Sequence, residues 1–553
     1  MKNNLKKSIS GILCLLLLSS TVACEQEEVV PTLPAYTLKT AQNATFAYNG
    51  PTDGVYYFDT EKREYGTQRT VEGYQTYKEA GFDTVYLTDT ASFDSRETAW
   101  VAGTETYDCF KNATQAGIEK IILEDAVFED MIVKKGSALE GADDNGDGVS
   151  DELFTAVYDE LKLYCYENGF YGVKLGDRPN HEMIESYGHM YRAIRLASKK
   201  LYEEGVTGGK TDGLMKNDGY VAIHVNMAEV DYTGLSSFYA QPYEDITGEK
   251  YYESYKETYS RYLTNMIESC GGGYDATTKL GMDKISVGLQ PFRSTTLANG
   301  LYPMLQTFAE ICKEEGVQLN YVCQSMKSYT NDALMFDGVS ESEMALELYS
   351  ALGFGATSVS YYTYMPTANW STTGNKMLDD GCFIGRDGTK NSTYYYGQQL
   401  LAEWNAMQPI LSNYEYQGAR IYAADSATIK VDATPYLQTG VDENCDVDGQ
   451  TLGFDNTYQF AALKNFTFTN DMALVTELKD GGNDLHMYMI QNILDPRVTK
   501  NFETTGIAKV DFGTEYKYVA VLESGNISYE KLNNGVYEKA LSAGYAVFLI
   551  PLK

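Results

Sequence analysis

Along the chain, apolar and polar positions repeat one unit: an amphipathic helix, a glycine, a short β-branched run, then polar or aromatic residues. YQTYKEAGFDTVYLTD (74–89) shows it first, with Ala80 and Gly81 ending the helix and Thr84 to Leu87 forming a buried strand. CFKNATQAGIEKIILED (109–125) and ELKLYCYENGFYGVKLGD (160–177) repeat it. GYVAIHVNMAE (219–229), KISVGLQPF (284–292) and GVQLNYVCQSM (316–326) add strands. SESEMALELYSALGFGATSVSYYTY (340–364) opens on a capping box, Ser340 with Glu343, carries apolar residues at 345, 348 and 352, and ends in a strand. NATFAYNGP (43–51) upstream supplies the eighth.

Eight strands alternating with helices predict a parallel sheet closed into a (β/α)8 TIM barrel over residues 43–411, with YYYGQQLLAEWNAMQPIL (394–411) as its last helix. A doubly wound open sheet is the alternative, but no glycine-rich phosphate turn follows an early strand. After 411 the pattern changes to short alternating runs such as DLHMYMIQNI, KYVAVLE and GYAVFLIPL, separated by Gly, Asn and Asp turns. Residues 412–553 therefore read as a smaller antiparallel β-sandwich, which either buries the flank of the barrel or binds a ligand of its own.

The first 23 residues read as a secretion leader, with three lysines before the apolar run Ile12 to Leu18. Cys24 after Thr21-Val22-Ala23 resembles a bacterial lipobox, although Thr21 replaces the usual leucine. Lipidation of Cys24 is the expectation and ordinary cleavage with full secretion the alternative. Residues 24–42, acidic and proline-containing, read as a tether without helical or strand period. The expected address is extracytoplasmic, attached to the bacterial cell membrane or surface only through that lipid. Removing the leader leaves 553 − 23 = 530 residues, enough for a barrel and a second domain. A net charge of −33 repels phosphate backbones and excludes nucleic acid as a partner. Seven of the nine cysteines lie beyond Cys24, unpatterned and with no CxxC pair, which predicts neither a disulfide framework nor a zinc site.

In a (β/α)8 barrel, functional groups sit at the carboxyl ends of the strands, which directs attention to LGDRP after strand four and YVCQSM on strand seven. In order and spacing these motifs resemble the clan of (β/α)8 glycoside hydrolases that includes cellulases and family 42 β-galactosidases. They are more similar still to secreted bacterial proteins whose strand four reads G-x-x-L-x-D-E-P. The resemblance implies action on an oligo- or polysaccharide, with an acid/base Glu after strand four and a nucleophile Glu ending strand seven. Here those positions are Arg178 and Gln324. A guanidinium gives up no proton at working pH, and an amide is a poor nucleophile, whereas glycosidic cleavage needs two carboxyl groups flanking the bond.

Three readings follow. Catalysis has moved to other strand-end carboxylates, namely Asp177, Glu124 or its neighbour Asp125, Glu229 or Asp89, with Arg178 holding one of them ionised or gripping an acidic sugar. In the second, hydrolysis is lost and a glycan-binding cleft remains. In the third, Asp177 and Arg178 form an ion pair at the rim. Tyr362, Tyr364 and Trp370 are candidates for an aromatic sugar platform, with the alternation of a strand requiring some of them to pack outward. The resemblance places hydroxyl-binding groups at Asn226 and Gln290, each of which could equally cap a turn, and Gln324 is able to hydrogen-bond a hydroxyl. His224 reads as a satisfied core histidine, and His181 and His189 lack a third ligand for zinc. In ADDNGDGVSDELF (142–154), Asp143, Asn145, Asp147, Val149 and Asp151 take the positions of a calcium loop. Position twelve is Phe154, with Glu152 as a substitute ligand. A structural calcium ion and an acidic surface loop capping the next helix through Ser150 or Asp151 both remain open.

Overall fold

The computed structural model describes residues 30–38, 44–48, 50–51, 53–58, 61–87, 100–134, 141–229, 243–244, 250–251, 255–292, 300–331, 333–366, 368–370, 376–385, 387–423, 454–469, 472–494 and 505–553. The leader, Cys24 and Asp89 lie outside them.

Eight strands form one parallel sheet: β1 Thr45–Ala47, β2 Thr84–Leu87, β3 Lys120–Glu124, β4 Phe170–Asp177, β5 Ala222–Met227, β6 Lys284–Gly288, β7 Gln318–Gln324 and β8 Ala356–Tyr362. Their order across the sheet is β1-β8-β7-β6-β5-β4-β3-β2, so each strand pairs only with its neighbours in sequence and β8 returns to β1. The ring closes between β1 and β2, where the Asp83 backbone N–H donates to the Thr45 carbonyl at 3.1 Å and the Thr45 N–H donates to Asp83 Oδ1 at 2.7 Å. This circular order excludes a doubly wound sheet.

Nine helices cover the outside among the described residues: α1 Val71–Glu79, α2 Glu105–Gln115, α3 Ala126–Lys134, α4 Asp151–Leu161, α5 Ile184–Thr207, α6 Tyr255–Ser269, α7 Leu301–Glu315, α8 Glu341–Gly353 and α9 Ser392–Leu411. The sequence explains the boundaries. Thr70 caps α1, Ser150 caps α4, and Ser340 with Glu343 closes the expected capping box on α8. Outward strand positions such as Val85, Leu123, Val173, Val225 and Val287 are buried against these helices. The inward positions are largely polar, including Lys174, His224, Ser286, Asn320, Ser358 and Ser360.

At the amino end of the barrel, Asp283 gathers one of the densest polar clusters of the chain. It forms a 2.5 Å ion pair with Arg195 of α5, and it accepts from Tyr191 Oη at 2.5 Å and from the Tyr220 hydroxyl. The same guanidinium donates to the Val221 carbonyl at 2.5 Å and to the Gly281 carbonyl at 3.2 Å.

Beyond α9 lies an antiparallel sandwich of β9 Tyr414–Ala423, β10 Asn465–Phe468, β11 Met472–Asp480, β12 Leu485–Asn492, β13 Thr505–Asp511, β14 Tyr518–Glu523, β15 Asn526–Lys531, β16 Val536–Ser542 and β17 Ala546–Leu552. A six-stranded sheet, β9-β11-β12-β17-β14-β15, faces a three-stranded one, β10-β13-β16. β17 is buried at every position. One face, with Phe548 and Ile550, joins the barrel core, and the other, with Val547 and Leu549, joins the sandwich core. Its uninterrupted apolar run is the signature of a strand covered on both sides. The sandwich therefore buries the flank of the barrel, and Gln491 Nε2 donates to the Leu346 carbonyl of α8 at 2.9 Å across that seam.

Part of the segment read as a tether is described. Residues 30–38 lie on the sandwich: the Leu33 N–H donates to Tyr529 Oη at 3.0 Å, Tyr36 Oη donates to Asp480 Oδ2 at 2.8 Å, and Asn413 Nδ2 donates to the Thr37 carbonyl at 3.0 Å. Aperiodic polar sequence reads as a linker, but Leu33 and Tyr36 also pack against the core.

Candidate active site at the barrel mouth

Asp177 ends β4, and a bulge determines where it points. Pairing with β5 shifts between Lys174 and Gly176, so that Lys174 lies opposite His224 and Asp177 opposite Asn226. Without the extra residue, side chains three apart would face opposite sides; with it, Lys174 and Asp177 both face the lumen. Gly176 has φ +144°, and a Cβ there would lie 2.5 Å from Tyr187 Oη. The next residue, Arg178, takes a left-handed φ of +52°, and its N–H donates to the Asn226 carbonyl at 2.6 Å. The chain thus turns sharply out of the strand.

The described charged groups at the ends of β3, β4 and β5 are paired. Lys174 Nζ donates to Glu124 Oε1 at 2.6 Å and lies 3.5 Å from Asp177 Oδ2. Burial lowers the Lys174 pKa, an effect the Asp177 carboxylate opposes. Arg178 reaches Glu229 Oε1 at 2.9 Å. Of the carboxylates, Asp177 is the most open, with 47% of its side chain exposed, against 16% for Glu124 and 23% for Glu229. The expected rim pair of Asp177 with Arg178 is replaced by these two: the left-handed turn carries the guanidinium to Glu229, and Asp177 faces Lys174.

An aromatic layer sits beside these charges. Tyr48, just after β1, packs its ring 5.3 Å from Tyr86 and 6.2 Å from Tyr362. Lys174 Nζ lies 5.4 Å from the Tyr86 ring centre. Tyr48 Oη is 2.7 Å from His224 Nε2, which gives that histidine the satisfied core role. Burial, reinforced by the Lys174 and Lys284 ammoniums, holds His224 down to about 3.

Other expected site residues lie elsewhere. Tyr364 is buried on the helix side, 4.8 Å from Tyr77 and stacked with Phe383, so it is support and no sugar platform. Gln324 is at the right strand end, but its amide is consumed internally. Its Oε1 accepts from the Phe292 N–H at 3.0 Å, and its Nε2 donates to the Asp337 and Met326 carbonyls at 2.9 and 3.1 Å. Its backbone N–H donates to buried Glu347 at 2.9 Å. Asp125 caps α3 through the Val127 N–H and accepts from Tyr164 Oη. Gln290 is half-buried two residues past β6. Residue 370 ends a short strand, Ala368–Trp370, but the Trp370 side chain lies outside the described residues.

Gln324→Leu is expected to lower the unfolding free energy by about 2–4 kcal/mol, because it strips partners from several buried backbone groups. Denaturant titration reads that loss. An unchanged stability would show that the amide does not tie these loops together.

In the 142–154 loop, both Asp143 oxygens face the loop's own amides, at 2.7 Å from the Gly146 nitrogen and 2.8 Å from that of Gly148. Asn145 accepts from Asp147 and Asp147 from Val149, while Ser150 caps α4, which Asp151 begins. Among the described residues no group of three or more His, Cys, Asp or Glu is arranged to hold a metal. The six described cysteines beyond Cys24 are all buried.

Fold and site together define a (β/α)8 barrel with a polar, tyrosine-lined mouth and a C-terminal β-sandwich. No family description and no curated protein matches the chain. It is similar in overall course to solved structures of a glycoside hydrolase family 5 protein from Bacteroides vulgatus, at 8% identity over 87% of this chain and 85% of that one with a TM-score of 0.42. It is also similar to a GH27 β-L-arabinopyranosidase from Geobacillus stearothermophilus, at 8% identity over 94% and 97% with a TM-score of 0.42. A third is the α-amylase from Geobacillus thermoleovorans, at 11% identity over 92% and 98% with a TM-score of 0.41. Likeness at this level carries no argument about chemistry. The fold rests on the strand order and register given above.

Proposed function

We propose that the protein binds an oligo- or polysaccharide at the barrel mouth, as a glycoside hydrolase-like barrel with an atypical site, held outside the cytoplasm through Cys24. The lining supports a sugar: tyrosine faces beside convergent polar groups suit the apolar and hydroxyl faces of a pyranose. One observation carries the choice of binding over cleavage. Three of the carboxylates considered for catalysis face a cation, Glu124 and Asp177 sharing Lys174 and Glu229 meeting Arg178, while Asp125 is held as the cap of α3.

Cleavage of a glycosidic bond requires a protonated acid beside the leaving oxygen and a second carboxylate to attack or to activate water. Here each of the three carboxylates stands against an ammonium or guanidinium, so no pair of them stands clear of a cation to flank the bond. Among the described residues, the three carboxylates and two cations of these ion pairs sum to one net negative charge, which favours a neutral sugar over an acidic one.

Hydrolysis through Asp177 is the second reading, favoured by that residue's exposure alone. Calorimetric titration with cellotetraose, xylotetraose, laminaritetraose and maltotetraose tests the proposal. Binding to at least one, weakened at least tenfold by Tyr362→Ala, is expected. No heat from any of the four contradicts the saccharide assignment.

A further inference from the structure

One layer of the barrel runs sideways through four strands. Asp177 on β4 lies opposite Asn226 on β5, Asn226 opposite Ser286 on β6, and Ser286 opposite Asn320 on β7. Asn320 Nδ2 has two hydrogens and two hydroxyl acceptors in reach, Ser286 Oγ at 2.7 Å and Ser360 Oγ at 3.2 Å. Ser286 Oγ, already accepting from Asn320, gives its own hydrogen to Asn226 Oδ1 at 3.2 Å. Ser286, Asn320 and Ser360 are at most 1% exposed, so no ligand reaches them.

The chain of donors has a direction, and it ends by fixing the Asn226 amide. With Oδ1 held from below, the NH2 group is left toward the mouth. No described residue accepts from it, and Asn226 is partly exposed. The Asn226 carbonyl is also pinned, by the Arg178 N–H. On the neighbouring strand, roughly 4.8 Å away, stands the half-exposed Asp177 carboxylate, which can only accept while ionised.

We propose that Asn226 Nδ2 and the Asp177 carboxylate form a preset donor and acceptor pair that reads one vicinal diol of a sugar, with Ser286 and Asn320 as positioning residues beneath it. Asp177 takes the hydrogen of one hydroxyl while Asn226 gives a hydrogen to the oxygen of its neighbour. A ring lacking either hydroxyl leaves one partner unmatched, so the pair sets specificity as well as orientation. This rests on the saccharide reading above.

The test is calorimetry of the full chain with the same four tetraoses, followed on whichever binds, with thermal midpoints measured in parallel. Ser286→Ala is expected to weaken binding about tenfold, Ser286→Thr to stay within threefold of the unaltered protein, and Asn226→Asp to weaken binding at least tenfold. Ser286→Ala combined with Asn226→Asp is expected to lose no more than Asn226→Asp alone, because one change acts through the other. A general packing effect would instead add. If Ser286→Ala does not fold, Asn226→Asp and Ser286→Thr still decide the matter. Unaltered protein that binds none of the four overturns the saccharide reading and this pair with it. Binding that is insensitive to Asn226→Asp, or losses that add, overturns the pair alone.

Discussion

Replacing Asp283 with alanine is expected to cost about 3–5 kcal/mol of unfolding free energy, the usual cost of removing one partner from a buried ion pair. Asp283 and Arg195 each expose 2% of their side chains, so the guanidinium left behind has no water to replace the lost carboxylate. Tyr191 and Tyr220 would lose an acceptor in the same step. Urea denaturation measures the effect. Replacing both members of the pair by apolar residues, Arg195→Met with Asp283→Leu, should cost less than Asp283→Ala alone, because no uncompensated charge then stays buried. A loss below about 1 kcal/mol for Asp283→Ala would show that the cluster is solvated. The cluster lies at the amino end of the strands, away from the mouth, so sugar binding by the folded fraction should be unchanged.

The second large effect is a dependence on pH. His224 is held to about 3 in the folded barrel by burial, with Lys174 and Lys284 adding to it, against about 6.5 for an unfolded chain. The folded value lies below the unfolded one, so the stabilisation is complete above about pH 6.5 and drains away as pH falls toward 3. Between pH 7 and pH 5 this group alone accounts for about 2 kcal/mol of lost stability, obtained from the two pKa values. His224→Gln, which retains a hydrogen-bonding partner for Tyr48, removes that dependence. Denaturation of both proteins at the two pH values should show the unaltered chain losing about 2 kcal/mol more than the variant. Parallel pH curves would mean that the lumen admits water to the imidazole.

The barrel was largely legible because its signal is local. The apolar run Thr84 to Leu87 is β2 as written, the Ser340 and Glu343 box starts α8, and the strand after it is β8. The sandwich was legible as a change of period after α9. The strap at 30–38 was not, since its partners Asp480 and Tyr529 are distant in sequence and nothing in the segment encodes them.

The same limit governed the site. Strand ends were found, so Asp177, Glu124, Asn226 and Glu229 come to one mouth. What each side chain does there depends on partners from other strands. Gln324 sits where a nucleophile would, yet its amide ties together backbone near 292, 326 and 337. Tyr364 is two residues beyond Tyr362, but packs among Tyr77 and Phe383. The bulge before Gly176 had a visible trace in the sequence, a glycine just before Asp-Arg-Pro, and it explains the arginine: Arg178 leaves the strand to neutralise Glu229, while Asp177 stays in the lumen.

The most direct test of the account is to incubate the purified chain for a day with a large excess of the tetraose that binds it, and to separate the products by chromatography. Glu124, Asp177 and Glu229 paired with cations predict an intact sugar, in the presence of binding that Asp177→Asn weakens. Shorter sugars released by the unaltered chain and absent with Asp177→Asn would contradict it, and would make Asp177 a catalytic carboxylate.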